Sequence, residues 1–95
     1  MLGLVKTAAL EAGPLGVRGN AVNPGPIENR MMRSVEEQAA PGAASRVKEG
    51  FLSQIPLARY GTNDEIAQLA LFLASDESAY CTGAVFVADG GMTAH

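Results

Sequence analysis

Leu2, Val5, Ala9 and Leu10 recur at helical spacing and predict a helix over Met1 to Ala12. Gly13-Pro14-Leu15-Gly16 then stops it, with Gly just past the end and Pro following. The short β-prone run Val17 to Val22 ends at Asn23-Pro24-Gly25-Pro26 and reads as a strand running into a rigid loop, weakened internally by Gly19. Residues 27–50 are the least regular. A short helix is expected over Ser34 to Ala39, with Ser34 as cap and Glu37 three residues on completing a capping box. Pro41-Gly42 interrupts it, a second helical stretch covers Ala43 to Leu52, and Pro56 follows. The clearest helix spans 63–75, capped by Thr62, Asn63 or Asp64, with Ile66, Leu69, Ala70 and Leu73 as its apolar face. Ala84 to Ala88 is a continuous apolar run ended by Asp89-Gly90-Gly91, the pattern of a parallel-sheet strand buried on both faces.

Two strands joined through a long connection that contains a strong helix form a right-handed βαβ unit, so parallel pairing is expected and the fold class is α/β. A two-stranded sheet is marginal by itself, and this implies that neighbouring strands are missing. The sequence contains no internal repeat and no low-complexity segment.

Composition narrows the classes. Of 95 residues, 47% are apolar and 18% charged, which excludes a disordered or solvated tail. The apolar share is generous for so small a chain and points to surface that expects a partner. The net charge is −3, and the basic residues are scattered from Lys6 to Arg59 without interleaved aromatics, so nucleic acid is not an expected partner. The longest apolar run, Leu69 to Ala74, is too short to span a bilayer, and the start shows no basic region ahead of an apolar stretch. No membrane partner is expected. A single cysteine, Cys81, allows no internal disulfide and no Cys-rich metal site. The expectations are a cytoplasmic protein and no metal site. Cys81 reads as a small buried hydrophobe, His95 as a terminal tail residue, and Glu36-Glu37 as a solvated helix face rather than an acid/base dyad.

Three segments, in this order, resemble the last third of the short-chain dehydrogenase/reductase family. Gly3-Leu4-Val5-Lys6-Thr7-Ala8-Ala9-Leu10-Glu11 is similar to the second half of the helix that bears the family's catalytic Tyr and Lys. Val17 to Ile27, with Asn23-Pro24-Gly25-Pro26-Ile27 at its end, is similar to the sixth strand and its cofactor loop. Ile55-Pro56-Leu57 through Asp64-Glu65-Ile66-Ala67, then Thr82-Gly83 to Asp89-Gly90-Gly91, is similar to the final helix and seventh strand. Each segment alone is weak; their order and separations are specific.

The resemblance implies that residues 1–95 form the C-terminal portion of a Rossmann-like doubly wound parallel sheet (helix, strand, lid insertion, helix, strand), with 28–56 as a substrate-lid-like insertion. The parent chemistry would be NAD(P)-dependent oxidation or reduction of alcohol and carbonyl groups, with NAD or NADP as cofactor. No catalytic residue is assigned: the family's Ser, Tyr and Lys would precede Met1, and neither Tyr60, followed four positions later by Asp64, nor Tyr80, followed by Ala84, supplies Tyr-x-x-x-Lys. The glycine-rich pyrophosphate turn is likewise absent. The chain is therefore expected to be a fragment, to bind neither cofactor tightly alone, and to be inactive alone. The competing expectation is a non-catalytic interaction module, as a homo-oligomer or in association with an intact relative.

The cofactor-loop candidates are Pro24, Gly25, Pro26, Ile27 and Asn29. Two prolines fix φ and Gly25 permits close approach, which suits either a rim that offers backbone groups to a nicotinamide carboxamide or simply a stiff turn. Asn29 stands where the family usually has a Thr that helps hold the cofactor; it reads equally as a solvated loop residue. Met31 and Met32 fall where the lid begins, either as an adaptable apolar wall or as filler against a neighbouring helix.

Overall fold

A computed structural model describes residues 2–94. Helix α1 (Leu2–Ala12) passes into a 3-10 turn over Gly13–Leu15, then come strand β1 (Ala21–Pro24), helices α2 (Arg30–Ala39), α3 (Ala44–Ser53) and α4 (Asn63–Ala74), a 3-10 turn over Asp76–Ser78, and strand β2 (Val85–Ala88). The protein is α/β, with a two-stranded sheet among the described residues. Ala21 N–H donates to Ala84 O and, four residues on in both strands, Gly25 N–H donates to Ala88 O. The pairing is therefore parallel, as the sequence implies. Residues 21 and 25 face β2, so Val22 and Pro24 direct their backbone groups to the opposite side. Pro24 can close the strand because its missing N–H costs the β1–β2 ladder no bond.

The chain divides into two compact units, Met1–Asn23 with Ala67–Val87, and Pro24–Ile66 with Ala88–His95. In the first, α1 starts at Leu2 within the described residues and buries Ala9. Gly16 adopts a left-handed conformation and donates to Gly13 O, ending the 3-10 turn.

The strand expected over 17–22 is displaced to 21–24. Residues 18–20 spend their polar groups on the segment before β2 instead of on a ladder. The Arg18 guanidinium donates to Leu73 O (3.1 Å), Ser75 O (3.1 Å), Cys81 O (3.3 Å) and Ser78 Oγ (2.9 Å). It thereby satisfies carbonyls that the last turn of α4 leaves without helical donors. Asn20 donates to Cys81 O and accepts from Ala84 N–H. Cys81 is half-buried rather than buried, and takes part here through its carbonyl.

Two burial expectations fail in this unit. In β2, Val87 is 52% exposed and the other residues are only half-buried, because two strands and their helices do not cover both faces of the run. In α4, Ile66, Leu69 and Leu73 are half-buried while Ala70 is exposed. Leu4, Leu10 and Leu71 are each at least 70% exposed.

In the second unit, α2 begins four residues earlier than Ser34. Asn29, extended at φ −158 and ψ 177, is its cap, and its side-chain oxygen accepts from Met32 N–H at 2.9 Å. Ser34 lies inside the helix and accepts from Gln38 Nε2. The expected break at Pro41-Gly42 is present, with Gly42 N–H donating to the Glu37 carboxylate at 2.8 Å. At the start of α4, Thr62 and Glu65 form a reciprocal capping box: Glu65 N–H donates to Thr62 Oγ1 and Thr62 N–H donates to Glu65 Oε1. Asp89 folds the end of β2 back by accepting from Gly91 N–H, Thr93 N–H and the Thr93 hydroxyl. Gly90, at φ +66, turns against Ile55, where a Cβ would stand 2.7 Å from Ile55 Cγ2. Among the described residues, the apolar side chains that reach burial are Ala9 in the first unit and Ile55 and Tyr60 in the second; the buried polar ones are Ser78 in the first and Glu36 in the second. His95 lies outside the described residues.

Candidate functional site

The loop after β1 is held from two sides, both within the second unit. Gly25 N–H donates to Ala88 O at 2.9 Å. On the other side, Ile27 forms a parallel bridge with Gly61: Gly61 N–H donates to Pro26 O at 3.1 Å, and Glu28 N–H donates to Gly61 O at 2.9 Å. Gly25 is required by its own chain, since a Cβ there would stand 2.6 Å from Asp89 Cβ and 2.7 Å from Asp89 Cα. Pro24 and Pro26 have no N–H, and those of Gly25 and Glu28 are used. Among the described residues, Ile27 N–H is thus the one backbone donor of the 24–28 loop without an acceptor. It is half-buried, at the carboxyl end of a parallel strand.

Asn29 has its oxygen committed to the α2 cap, and its amide donates to Asn63 Oδ1 at 3.3 Å, leaving one N–H of the NH2 group over. Beside it lies an open groove of about 710 Å³ lined by Asn29, Arg30, Met31, Ser34, Val35, Gln38 and Asn63. Met31 lines this groove and is 77% exposed, whereas Met32 is half-buried and is not among the lining residues. The lining carries one cation and no carboxylate.

Glu36 is not on a solvated face. It is 4% exposed, and its carboxylate accepts the Tyr60 hydroxyl at 2.5 Å; Tyr60 is itself 5% exposed. Burial first, and then the hydrogen bond to Glu36, push the Tyr60 phenol well above its ordinary value of 10. Lys48 Nζ lies 5.1 Å from the Tyr60 ring centroid and 2.6 Å from Glu28 Oε2, while Arg33 reaches Glu28 Oε1 at 3.5 Å. The Lys48 hydrogen bond holds the Glu28 carboxyl below its ordinary value. Glu37 stays exposed, so the pair is no acid/base dyad. No residue pattern near Glu36 announces its partner 24 positions away. No cluster of His, Cys, Asp or Glu that could hold a metal occurs among the described residues, and no helix there is long and apolar enough to cross a membrane.

In open α/β sheets ligands bind outside the carboxyl ends of the strands, which is where the 24–28 loop lies. Residues 1–93 match the family model described as enoyl-(acyl carrier protein) reductase, and the chain belongs to the short-chain dehydrogenase/reductase family. It is 46% identical over 92 residues to 3-oxoacyl-[acyl-carrier-protein] reductase FabG of Thermotoga maritima, covering 97% of this chain and 34% of that protein. Its backbone is similar to a short chain dehydrogenase family protein from Francisella tularensis, with TM-score 0.92 and 30% identity over 99% of this chain and 40% of that one. It is also similar to YwfH, an NADPH dependent reductase involved in bacilysin biosynthesis, with TM-score 0.88 and 31% identity over 99% of this chain and 37% of that one. The chain thus spans about a third of the length of the curated relative it matches.

Proposed function

We propose that this chain forms the nicotinamide-side loop and the substrate lid of an NAD(P)-dependent oxidoreductase that acts on alcohol and carbonyl groups. The observation that carries the reading is Ile27 N–H: a backbone donor in a two-sided brace, aimed from the end of a parallel strand, with no acceptor among the described residues. An amide oxygen such as that of a nicotinamide carboxamide is a fitting acceptor, and Asn29 can offer its remaining N–H nearby. When bound, the dinucleotide supplies the hydride. The chain's own part is to orient the ring with a rigid edge and to border the substrate with Met31 and the 28–56 segment, the lid-like insertion. With no Tyr-x-x-x-Lys in its sequence, the chain has no group placed to move the substrate proton and is not a catalyst by itself.

A few loop contacts cannot offset the several kcal/mol that association costs, so binding to NADH or NADPH should be weaker than about 10 μM. The test is amide NMR with calorimetry. At millimolar NADH or NADPH, shifts should centre on Ile27 and the Asn29 side chain, with no carbonyl reduction. Shifts centred elsewhere, or a dissociation constant below about 10 μM, would overturn the reading.

A second reading, an interaction module that self-associates or pairs with an intact relative, is favoured by one observation. Leu4, Leu10 and Leu15 stand 75–81% exposed on α1 and its turn, and Leu71 is 70% exposed on α4.

A further inference from the structure

A buried carboxylate is costly unless donors reach it, and Glu36 is reached by one donor, the phenol of Tyr60. Two helices of the second unit meet at that side chain. Glu36 belongs to α2, Lys48 over the ring belongs to α3, and the residue after Tyr60 is Gly61, which clasps Pro26 and Glu28 by two backbone hydrogen bonds. Glu28 completes the circuit through Lys48, with Arg33 on its other oxygen. The charged groups that act on Tyr60 are thus Glu36 from α2, Lys48 from α3 and Glu28 from the loop, with Arg33 reaching Glu28 and the Arg59 guanidinium donating to the Tyr60 carbonyl. A Phe–Leu contact could fill the same space, but it would fix neither the rotation nor the register of α2, whereas a hydrogen bond between two buried groups does both.

We infer that Tyr60 and Glu36 are a positioning pair: their bond sets α2, and with it Asn29 and Met31, against the loop of Pro24 to Ile27. Neither residue lines the groove beside Met31; both act through the helix that does. The meaning of this placement for a substrate rests on the lid reading above, while the bond itself can be tested without any cofactor.

Amide hydrogen exchange on the purified chain is the test. Tyr60→Phe keeps the ring and strands the carboxylate, and it should speed exchange in α2 and α3 by about tenfold or more. Amides of α1 and of residues 78–84, which belong to the other unit, should keep their protection. Glu36→Gln retains an oxygen to accept the phenol proton and should stay within about threefold of the parent chain. The inference is overturned if Tyr60→Phe leaves α2 exchange unchanged, if Glu36→Gln loosens α2 as much, or if Tyr60→Phe unprotects both units equally. NADH titration of the same samples separates the two ideas: a silent Ile27 amide with the expected exchange pattern sinks the cofactor reading alone.

Discussion

Gly25 and Asp89 lie so close that a side-chain carbon on Gly25 would stand 2.6 Å from Asp89 Cβ and 2.7 Å from its Cα. The loop after β1 and the turn after β2 are therefore fitted backbone to backbone. Gly25→Ala must push one of them away. The expected cost is about 1–3 kcal/mol, read as a lower urea midpoint. Gly19→Ala is the control, because nothing lies within 4 Å of its Cβ position. Equal midpoints for the two variants would show that the loop yields freely.

Arg18 carries four hydrogen bonds to the end of α4 and the turn after it. Arg18→Met keeps much of the stem and removes all four. It should cost about 2–3 kcal/mol and release the amides of 78–84 first in hydrogen exchange. Retained protection there would mean that the guanidinium is dispensable.

Acid should weaken the start of α4. The Arg59 guanidinium, and then Thr62 N–H, hold the Glu65 carboxyl down to about 2 from its ordinary 4.5. A carboxyl lowered on folding favours the folded state above its unfolded value, and that contribution fades as pH falls from about 4.5 to about 2. Glu28 and Asp89 are lowered too and add to the same slope. Glu65→Gln should therefore flatten the acid limb of stability against pH only in part. An unchanged limb would refute the role given to Glu65.

The chain is not expected to behave as a well-packed monomer. Among the described residues three apolar side chains are buried, while Leu4, Leu10, Leu15 and Leu71 are largely exposed. Each large apolar side chain left in water forgoes roughly 1.5–3 kcal/mol, against a usual total margin of about 5–15. Sedimentation velocity should show association, and circular dichroism a broad melt. A compact monomer with a sharp transition above about 45 °C would contradict this.

The helices were readable because their signals are local. The periodicity of α1 and α4, the Pro41-Gly42 break and the apolar run of β2 all sit within a few residues of what they specify. Two of the failures come from a partner far along the chain, and one from a nearer cap. β1 starts late because Arg18 and Asn20 engage residues 73–84. Ser34 and Glu37 carry a capping-box pattern that Asn29 pre-empts by starting the helix earlier. Glu36 looks solvated until Tyr60 is brought to it. Of the candidate site, the proline-glycine loop was legible as a rigid rim, but the clasp by Gly61 that isolates Ile27 N–H was not.

Pro24 closes β1 with its nitrogen turned away from β2. A further strand laid along that outer edge could still be gripped through Val22, one pleat earlier, but at Pro24 it would find no proton to accept. On the β2 side the hydrogen bonding of β1 continues to Gly25, whereas on the outer edge the last residue of the strand, Pro24, has no N–H to give. A strand paired along that edge would be freest to diverge from β1 at this height, where the 24–28 loop begins.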